Sequence, residues 1–338
     1  MERVNDMDKA VLGIDLGGTK VYAAVVDGKG RITGHARNKT RAWRDEEKVF
    51  TTVVKTARRA LAAAGLDQSA ISAIGIGAPG PIDPDAGVII DSANLPFRNF
   101  PLGERLSEEF GRPTIVENDV NAGIYGEFRA GAAQGATEVV GVFVGTGIGG
   151  GLILNGALYR GYGKNAGEVG HTIIEAASKA RCGAGHRGCL EALASRTAIT
   201  RDLRRAVKRG RKSSVSKFLR KETDVLGGKE LGRAYKEGDQ VVRKAMHRAA
   251  KFVGIGLGNF VNFLSPQLIV LGGGVIEAMD DEFLGLVEKS MRKIAFEVSA
   301  KELRIVRAAL GDDAGVIGAA MLARARHTSG HQTMQARS

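Results

Sequence analysis

Residues 10–28 read AVLGIDLGGTKVYAAVVDG. Two apolar runs, Ala10 to Asp15 and Val21 to Val26, flank Gly17-Gly18-Thr19, and the second closes at Asp27-Gly28, which predicts a buried β-hairpin. The theme returns at Val139 to Val144, followed by Gly145-Thr146-Gly147-Ile148-Gly149-Gly150 and a strand through Leu154. This echo points to an internal duplication, although it amounts to an apolar strand followed by Gly and Thr. A third apolar run, Leu268 to Leu271, ends in Gly272-Gly273-Gly274. In each turn glycine lets backbone N–H groups approach an anion without a side chain in the way. For any one turn alone, an ordinary tight hairpin is the competing reading.

Between these turns, strand and helix patterns alternate. Glu46 to Ala64 has helical apolar spacing and closes at Gly65, while Ile71 to Ile76 reads as a buried strand opening onto Gly77-Ala78-Pro79-Gly80-Pro81. Leu102 to Phe110 predicts a helix and Thr114 to Val116 a short strand. Glu117-Asn118-Asp119 then hands over to a helix starting near Val120. Thr197 to Lys251 is mostly helical and leads into an apolar helix ending at Leu264. A strand around Leu303 to Ala308 and a helix from Ala314 to Ala325 close the chain.

With 338 residues, the chain exceeds one core and suits two packed lobes with a cleft. The 47 glycines and 5% aromatic content fit an α/β protein with many tight turns. The net charge of +12 would attract an anion. Much of the excess, however, lies in Arg201 to Arg220 and Lys244 to Lys251, interleaved with apolar residues at helical spacing, which reads as solvated helix faces rather than a nucleic-acid surface. Two long stretches lack charge, 139–159 and 252–276. The first holds seven glycines and the second is broken by Asn259, Asn262, Ser265 and Pro266, so neither predicts a membrane span. Two cysteines, Cys182 and Cys189, are too few for a disulfide framework and suggest a metal or turn site in a reducing, cytoplasmic setting.

The glycine turns form no P-loop and no protein-kinase glycine-rich loop. Six motifs in order instead resemble the ROK family of the actin/hexokinase superfold: residues 13–20 (GIDLGGTK), 77–83 (GAPGPID), 117–121 (ENDVN), 145–151 (GTGIGGG), 166–171 (AGEVGH) and 271–275 (LGGGV). The resemblance covers nearly the whole chain and is strongest to glucokinases and N-acylhexosamine kinases. It implies a two-lobed α/β actin-like ATPase (ribonuclease H-like) fold with an interdomain cleft. The expected domains are a small one over 8–118, a large one over 119–311 holding the cysteine loop, a helix of about 312–326 packing back on the first, and a frayed tail over 327–338.

Asp119 is the candidate general base, because a sugar hydroxyl must lose its proton as it attacks and a carboxylate at a helix start stays ionised. By residue type, an N-cap role for Asn118 or Asp119 is the alternative. The resemblance implies that Asp15 helps to position Mg²⁺. It places ATP phosphates against Gly17, Gly18, Thr19, Lys20, Gly145, Thr146, Gly147, Gly273 and Gly274. It implies hexose binding by Gly80, Asn94, Asn118, Asp119, Glu168, His171 and Glu191, and a homodimer or homotetramer. A hexose needs such convergent donors and acceptors.

The segment Cys182 to Glu191 resembles the family's zinc loop, Cys-x-Cys-Gly-x-x-Gly-Cys-x-Glu, with Ala184 at the middle cysteine. His171, Cys182 and Cys189 are then one ligand short of the four usual in structural zinc sites. Three outcomes are open: water completes the shell, His186 does, or the loop folds without metal.

The reading is an ATP-dependent hexose kinase forming glucose 6-phosphate. The alternatives are an N-acetylhexosamine kinase, a polyphosphate-dependent glucokinase and a ROK-type sugar-responsive repressor. The nine residues before the first strand leave no room for a helix-turn-helix, which weighs against the repressor.

Overall fold

The computed structural model describes residues 9–335, except 41–44, 93, 222, 224 and 280. They form two compact units, one of residues up to 135 with 160–166 and 312 onward, the other of 136–159 and 167–311.

The first unit opens with β1 (Ala10–Leu16) and β2 (Lys20–Val26), the antiparallel hairpin that the opening stretch predicts, followed by β3 (Ile32–Lys39). Helix α1 (Glu46–Ala63) is capped by Asp45, whose carboxylate accepts the Lys48 N–H at 3.1 Å, and it ends where Gly65 takes a left-handed φ of 68°. Strand β4 (Ile71–Ala78) follows. Three short strands, β5 (Ile82–Asp83), β6 (Val88–Asp91) and β7 (Arg98–Phe100), form a separate sheet, and then come α2 (Leu102–Phe110), β8 (Thr114–Asn118) and α3 (Asp119–Ala130). The main sheet runs β3-β2-β1-β4-β8, antiparallel across β3, β2 and β1 and parallel from β1 to β8. Its central strands are apolar on both faces, as parallel pairing under helices requires. Leu12, Ile14, Ile74 and Ile76 are fully buried.

The second unit contains β9 (Val139–Val144), β10 (Ile148–Leu154) and β11 (Ala157–Tyr159). Helices α4 (Leu190–Ala194), α5 (Arg196–Lys208), α6 (Gly228–Lys236) and α7 (Gln240–Leu264) follow, then β12 (Leu268–Gly272), α8 (Gly274–Ala278), α9 (Asp281–Arg292), α10 (Glu297–Ala300) and β13 (Arg304–Arg307). Its sheet runs β11-β10-β9-β12-β13. Counted within each sheet, both orders are 3-2-1-4-5, with the first three strands antiparallel and the last two joined in parallel. The duplication only hinted at by two glycine turns is thus a repeat of whole-sheet topology.

Helix α11 (Ala314–Gln335) returns to the first unit and packs on α3, β1 and β4. It is longer than the expected 312–326, so helix continues through Gln335 where fraying from 327 was expected. The first unit likewise extends past the expected boundary at 118, because α3 lies against α11.

The approach of α11 is set by four glycines. Gly13 and Gly75 are register partners on β1 and β4; a methyl on either would overlap the Val316 or Ala319 carbonyl of α11. Between the helices, Gly126 meets the Ala314 carbonyl and Gly318 the Ala122 carbonyl in the same way. Backbone cannot step aside as a flexible side chain can. Gly75→Ala is therefore expected to cost at least about 3 kcal/mol, read as a lower urea midpoint. Gly163→Ala, which points into open space, should stay within about 0.5 kcal/mol of the parent.

Candidate active site

In the first unit, the site is built at the ends of β1, β4 and β8. Asp15 on β1 has Gly77 of β4 as its register partner, and a Cβ on Gly77 would stand 3.3 Å from the Asp119 Cα. Asp15 and Asp119 therefore lie on either side of the end of β4, at the ends of β1 and β8. Asp119 is the first residue of α3, and its Oδ1 accepts the Val120 N–H at 2.9 Å. The N-cap is Asn118: its Oδ1 accepts from the Val120 and Asn121 N–H groups at 3.0 and 3.1 Å. With that oxygen engaged, the remaining polar end of Asn118 is an amide donor.

Glu117 fixes this segment from below. It is 2% exposed, its carboxylate pairs with Arg160 Nε at 2.6 Å, and it accepts from the Asn118 N–H and Asn121 Nδ2. Arg160 belongs to the short stretch 160–166 that the chain sends back to the first unit.

The first glycine turn lies beside these carboxylates. Gly17 N–H donates to the Lys20 carbonyl at 2.9 Å, and Thr40 Oγ1 donates to the Gly17 carbonyl at 3.0 Å. A Cβ on Gly18 would come 3.0 Å from the Asn94 Cβ, so Asn94 adjoins the turn, and one on Gly80 would stand 3.9 Å from Asn118 Nδ2. Thr19 is exposed. Lys20 Nζ stands 3.2 Å from Asp312 Oδ1. Burial is the main reason the Asp15 carboxyl is pushed up to about 6. The Asp119 charge adds to the rise, Lys20 opposes it, and Asp312 adds a smaller push.

In the second unit, the turn from β9 to β10 is closed by Gly145 N–H to the Gly147 carbonyl at 2.9 Å. The start of α5 is bonded directly to it. Arg196 N–H donates to the Gly145 carbonyl at 2.9 Å, Thr197 Oγ1 donates to the Thr146 carbonyl at 2.8 Å, and Arg196 Nη2 donates to Thr146 Oγ1 at 2.6 Å. Arg196 Nη1 would also lie 3.6 Å from a Cβ on Gly274, so this guanidinium touches both glycine turns of the unit. Gly273 has φ +85°, and a Cβ there would stand 2.7 Å from the Val144 carbonyl oxygen, so only glycine fits on both counts.

Glu191 serves the same turn. Its carboxylate accepts the Ile148 N–H at 2.9 Å and the Gly183 N–H at 3.4 Å, and a Cβ on Gly147 would run into it. It joins the second glycine turn to the cysteine loop. In that loop the ligand atoms of His171, Cys182 and Cys189 lie within 4.8 Å of one another. His171 Nδ1 stands 3.7 Å from Cys182 Sγ, while Nε2, on the other side of the ring, is 3.8 Å from Glu168 Oε2. Cys189 is buried, and burial is the first cause pushing its thiol up to about 11. The structure therefore brings Glu168, His171 and Glu191 into one neighbourhood of the second unit, and Asp15, Gly80, Asn94, Asn118 and Asp119 into one of the first.

The ROK family model matches residues 11–326. The chain belongs to the ROK family. A glucokinase of Halalkalibacterium halodurans is 33% identical over 322 residues, covering 95% of this ROK chain and 97% of that protein. A solved ROK family glucokinase from Streptomyces griseus, in complex with glucose and AMPPNP, is similar at a TM-score of 0.79 and 31% identity, over 93% of this chain and 99% of that one. A xylose repressor of Caldicellulosiruptor bescii is 29% identical over 94% of this chain and 78% of the repressor. The fold is the actin-like ATPase fold of ROK sugar kinases. Among the described residues, no helix is long and apolar enough to cross a membrane.

Three residues beside the ROK motifs escape sequence reading. Arg196 follows Ser195, whose hydroxyl accepts the Ala198 N–H at 3.2 Å, so the sequence there signals only a helix start. Arg160 and Asp312 reach the site through long-range folding and carry no local signal.

Asp15 gives a pH-dependent expectation. Its folded value, about 6, lies above the ordinary 3.8, so the folded chain binds this proton more tightly than the unfolded chain. Its ionisation then lowers stability as pH rises from about 4 to about 6, by up to about 3 kcal/mol. Asp15→Asn is expected to raise the Tm of the ligand-free protein at pH 8, with the margin over the parent vanishing near pH 4.

Proposed function

We propose that this protein is a hexose kinase that transfers the γ-phosphoryl group of ATP to a hydroxyl of glucose. Asp119 carries the reading: a carboxylate at the positive end of α3, flanked by the Asn118 cap and held by the buried Glu117–Arg160 pair. Full-length similarity to a glucokinase, and to a glucokinase solved with glucose and AMPPNP, supports the substrate pair.

Asp119 accepts the proton of the acceptor hydroxyl as its oxygen attacks the γ-phosphorus, and ADP departs. Asn118 donates its free amide to the sugar, and Asn94 and the Gly80 loop border the same ground. Glu168, His171 and Glu191 supply the remaining hydroxyl contacts. The phosphates lie on the glycine turns. In the second turn the Gly145 and Ile148 amides are already bonded within the protein, so Thr146 and Gly147 contribute the phosphate-binding amides. Lys20 of the first turn and Gly273 and Gly274 of the third complete the nucleotide set. Asp15, Asp119 and Asp312 converge beside Lys20, with Arg37 on the far oxygen of Asp312 at 3.7 Å, and this donor set would suit Mg²⁺. When bound, that ion neutralises charge on the phosphates.

A sugar-responsive regulator is the second reading, favoured by the extended similarity to a xylose repressor. The deciding measurement is ADP release from MgATP against glucose, N-acetylglucosamine and N-acetylmannosamine, repeated with polyphosphate as donor. Glucose-dependent ADP release is expected, and Asp119→Asn should lower kcat at least about 100-fold while glucose affinity stays within a few-fold. Sugar binding without turnover in the parent would favour the regulator. Full turnover in Asp119→Asn would remove the base assignment.

A further inference from the structure

We propose that Arg196 is a ligand for the phosphate chain of the nucleotide, its guanidinium taking the anion between the second and third glycine turns. The inference rests on the kinase reading in one respect, that the donor's phosphates lie on those turns. It adds a cation to what would otherwise be a backbone site.

Open room at the two turns carries the inference. Among the described residues, a Cβ built on Gly145 would meet a single atom within 4 Å, the Gly147 carbonyl oxygen at 3.9 Å, and one on Gly274 would likewise meet a single atom, Arg196 Nη1 at 3.6 Å. Glu191 closes the space beside Gly147, and the Val144 backbone closes that beside Gly273, so the unfilled sides are those of Gly145 and Gly274. The guanidinium is the group that reaches there.

It is held in place before any ligand arrives. The Arg196 N–H donates to the Gly145 carbonyl at 2.9 Å and its Nη2 to Thr146 Oγ1 at 2.6 Å, which fixes the side chain at both ends. Little rotamer freedom is then left to lose when an anion binds. Nor is the charge already spent. No carboxylate among the described residues pairs with Arg196, and its Nε is buried without a hydrogen-bond partner there. A guanidinium offers five N–H donors in a planar fork, so one can stay on Thr146 while Nη1, beside Gly274, turns to phosphate oxygens. Thr146 gains a direction from the same bond. Because its oxygen accepts from Arg196, its hydroxyl proton is left to donate to the anion.

The competing role is a clamp that only shapes the turn, and the test separates the two by reading binding apart from turnover. Affinities for MgAMPPNP, adenosine and glucose are measured by calorimetry on the parent and on Arg196→Met, Arg196→Gln and Arg196→Lys, with the melting temperature as the check on folding. Loss of charge-assisted hydrogen bonds should weaken AMPPNP about 10- to 100-fold in Arg196→Met, while adenosine and glucose affinities stay parental. The salt dependence of AMPPNP affinity should become shallower, since one fewer protein charge is screened. Arg196→Lys, which keeps the charge, should retain more AMPPNP affinity than Arg196→Gln, which keeps only a donor for Thr146. The reverse order would mark a clamp and overturn the proposal. So would an Arg196→Met variant that keeps parental AMPPNP affinity and salt dependence, or one that loses adenosine as strongly as AMPPNP. Failure of the kinase reading looks different: a parent that binds AMPPNP in this Arg196-dependent way, yet releases no ADP with any sugar, supports the inference and removes that reading.

Discussion

The first unit depends on backbone lying against backbone along α11. Where Gly13, Gly75, Gly126 and Gly318 carry no side chain, the helix reaches the sheet and α3 at carbonyl contact. That closeness has a chemical result. It brings Asp312 to Lys20, and Asp313 to the Tyr22 hydroxyl at 2.7 Å, across almost three hundred residues of chain. It also sets Gly315 against Asp15, where a Cβ would stand 3.2 Å from the carboxyl carbon. Packing on one face of the sheet thus fixes the electrostatic surroundings of a carboxylate at the end of its central strand.

The second unit reaches a similar end with different means. Its glycine turn is held by hydrogen bonds from the first residues of α5 and by the Glu191 carboxylate, and Gly273 presses on Val144 from the neighbouring strand. Each bond to a turn amide or carbonyl removes a freedom the loop would otherwise keep, so the turn is held in shape before any ligand arrives. The two sheets share one strand order, yet one neighbourhood is furnished with aspartates and asparagines and the other with glutamates, an imidazole and thiols. Repeated topology supplied strand ends, and the loops supplied distinct chemistry.

Much of this was legible in the chain. Apolar runs of four to six residues leading into glycine turns located β1, β2, β9 and β12, because strands buried on both faces cannot alternate with polar residues. The handover from Glu117 to Asp119 was readable as a strand end followed by a helix start, and Asn118 is indeed the cap. The dual character of Glu191 was not. A carboxylate spaced for a sugar is found bonded to two backbone amides, and only the folded loop shows that geometry. The boundary of the first unit was misplaced at 118 for a related reason: α3 belongs with α11, a partner whose position no local pattern reveals.

By itself the sequence determined which residues could be buried, where the chain must turn, and which side chains bear the chemistry of phosphate, sugar and metal. These follow from hydrophobic periodicity, glycine's lack of a Cβ and functional-group identity, all local properties. Tertiary structure alone decided that Arg160 neutralises Glu117, that Arg196 touches two glycine turns, and that His186 returns to Cys182. Those pairings depend on distances closed by packing and loop geometry, and such distances have no counterpart in residue order.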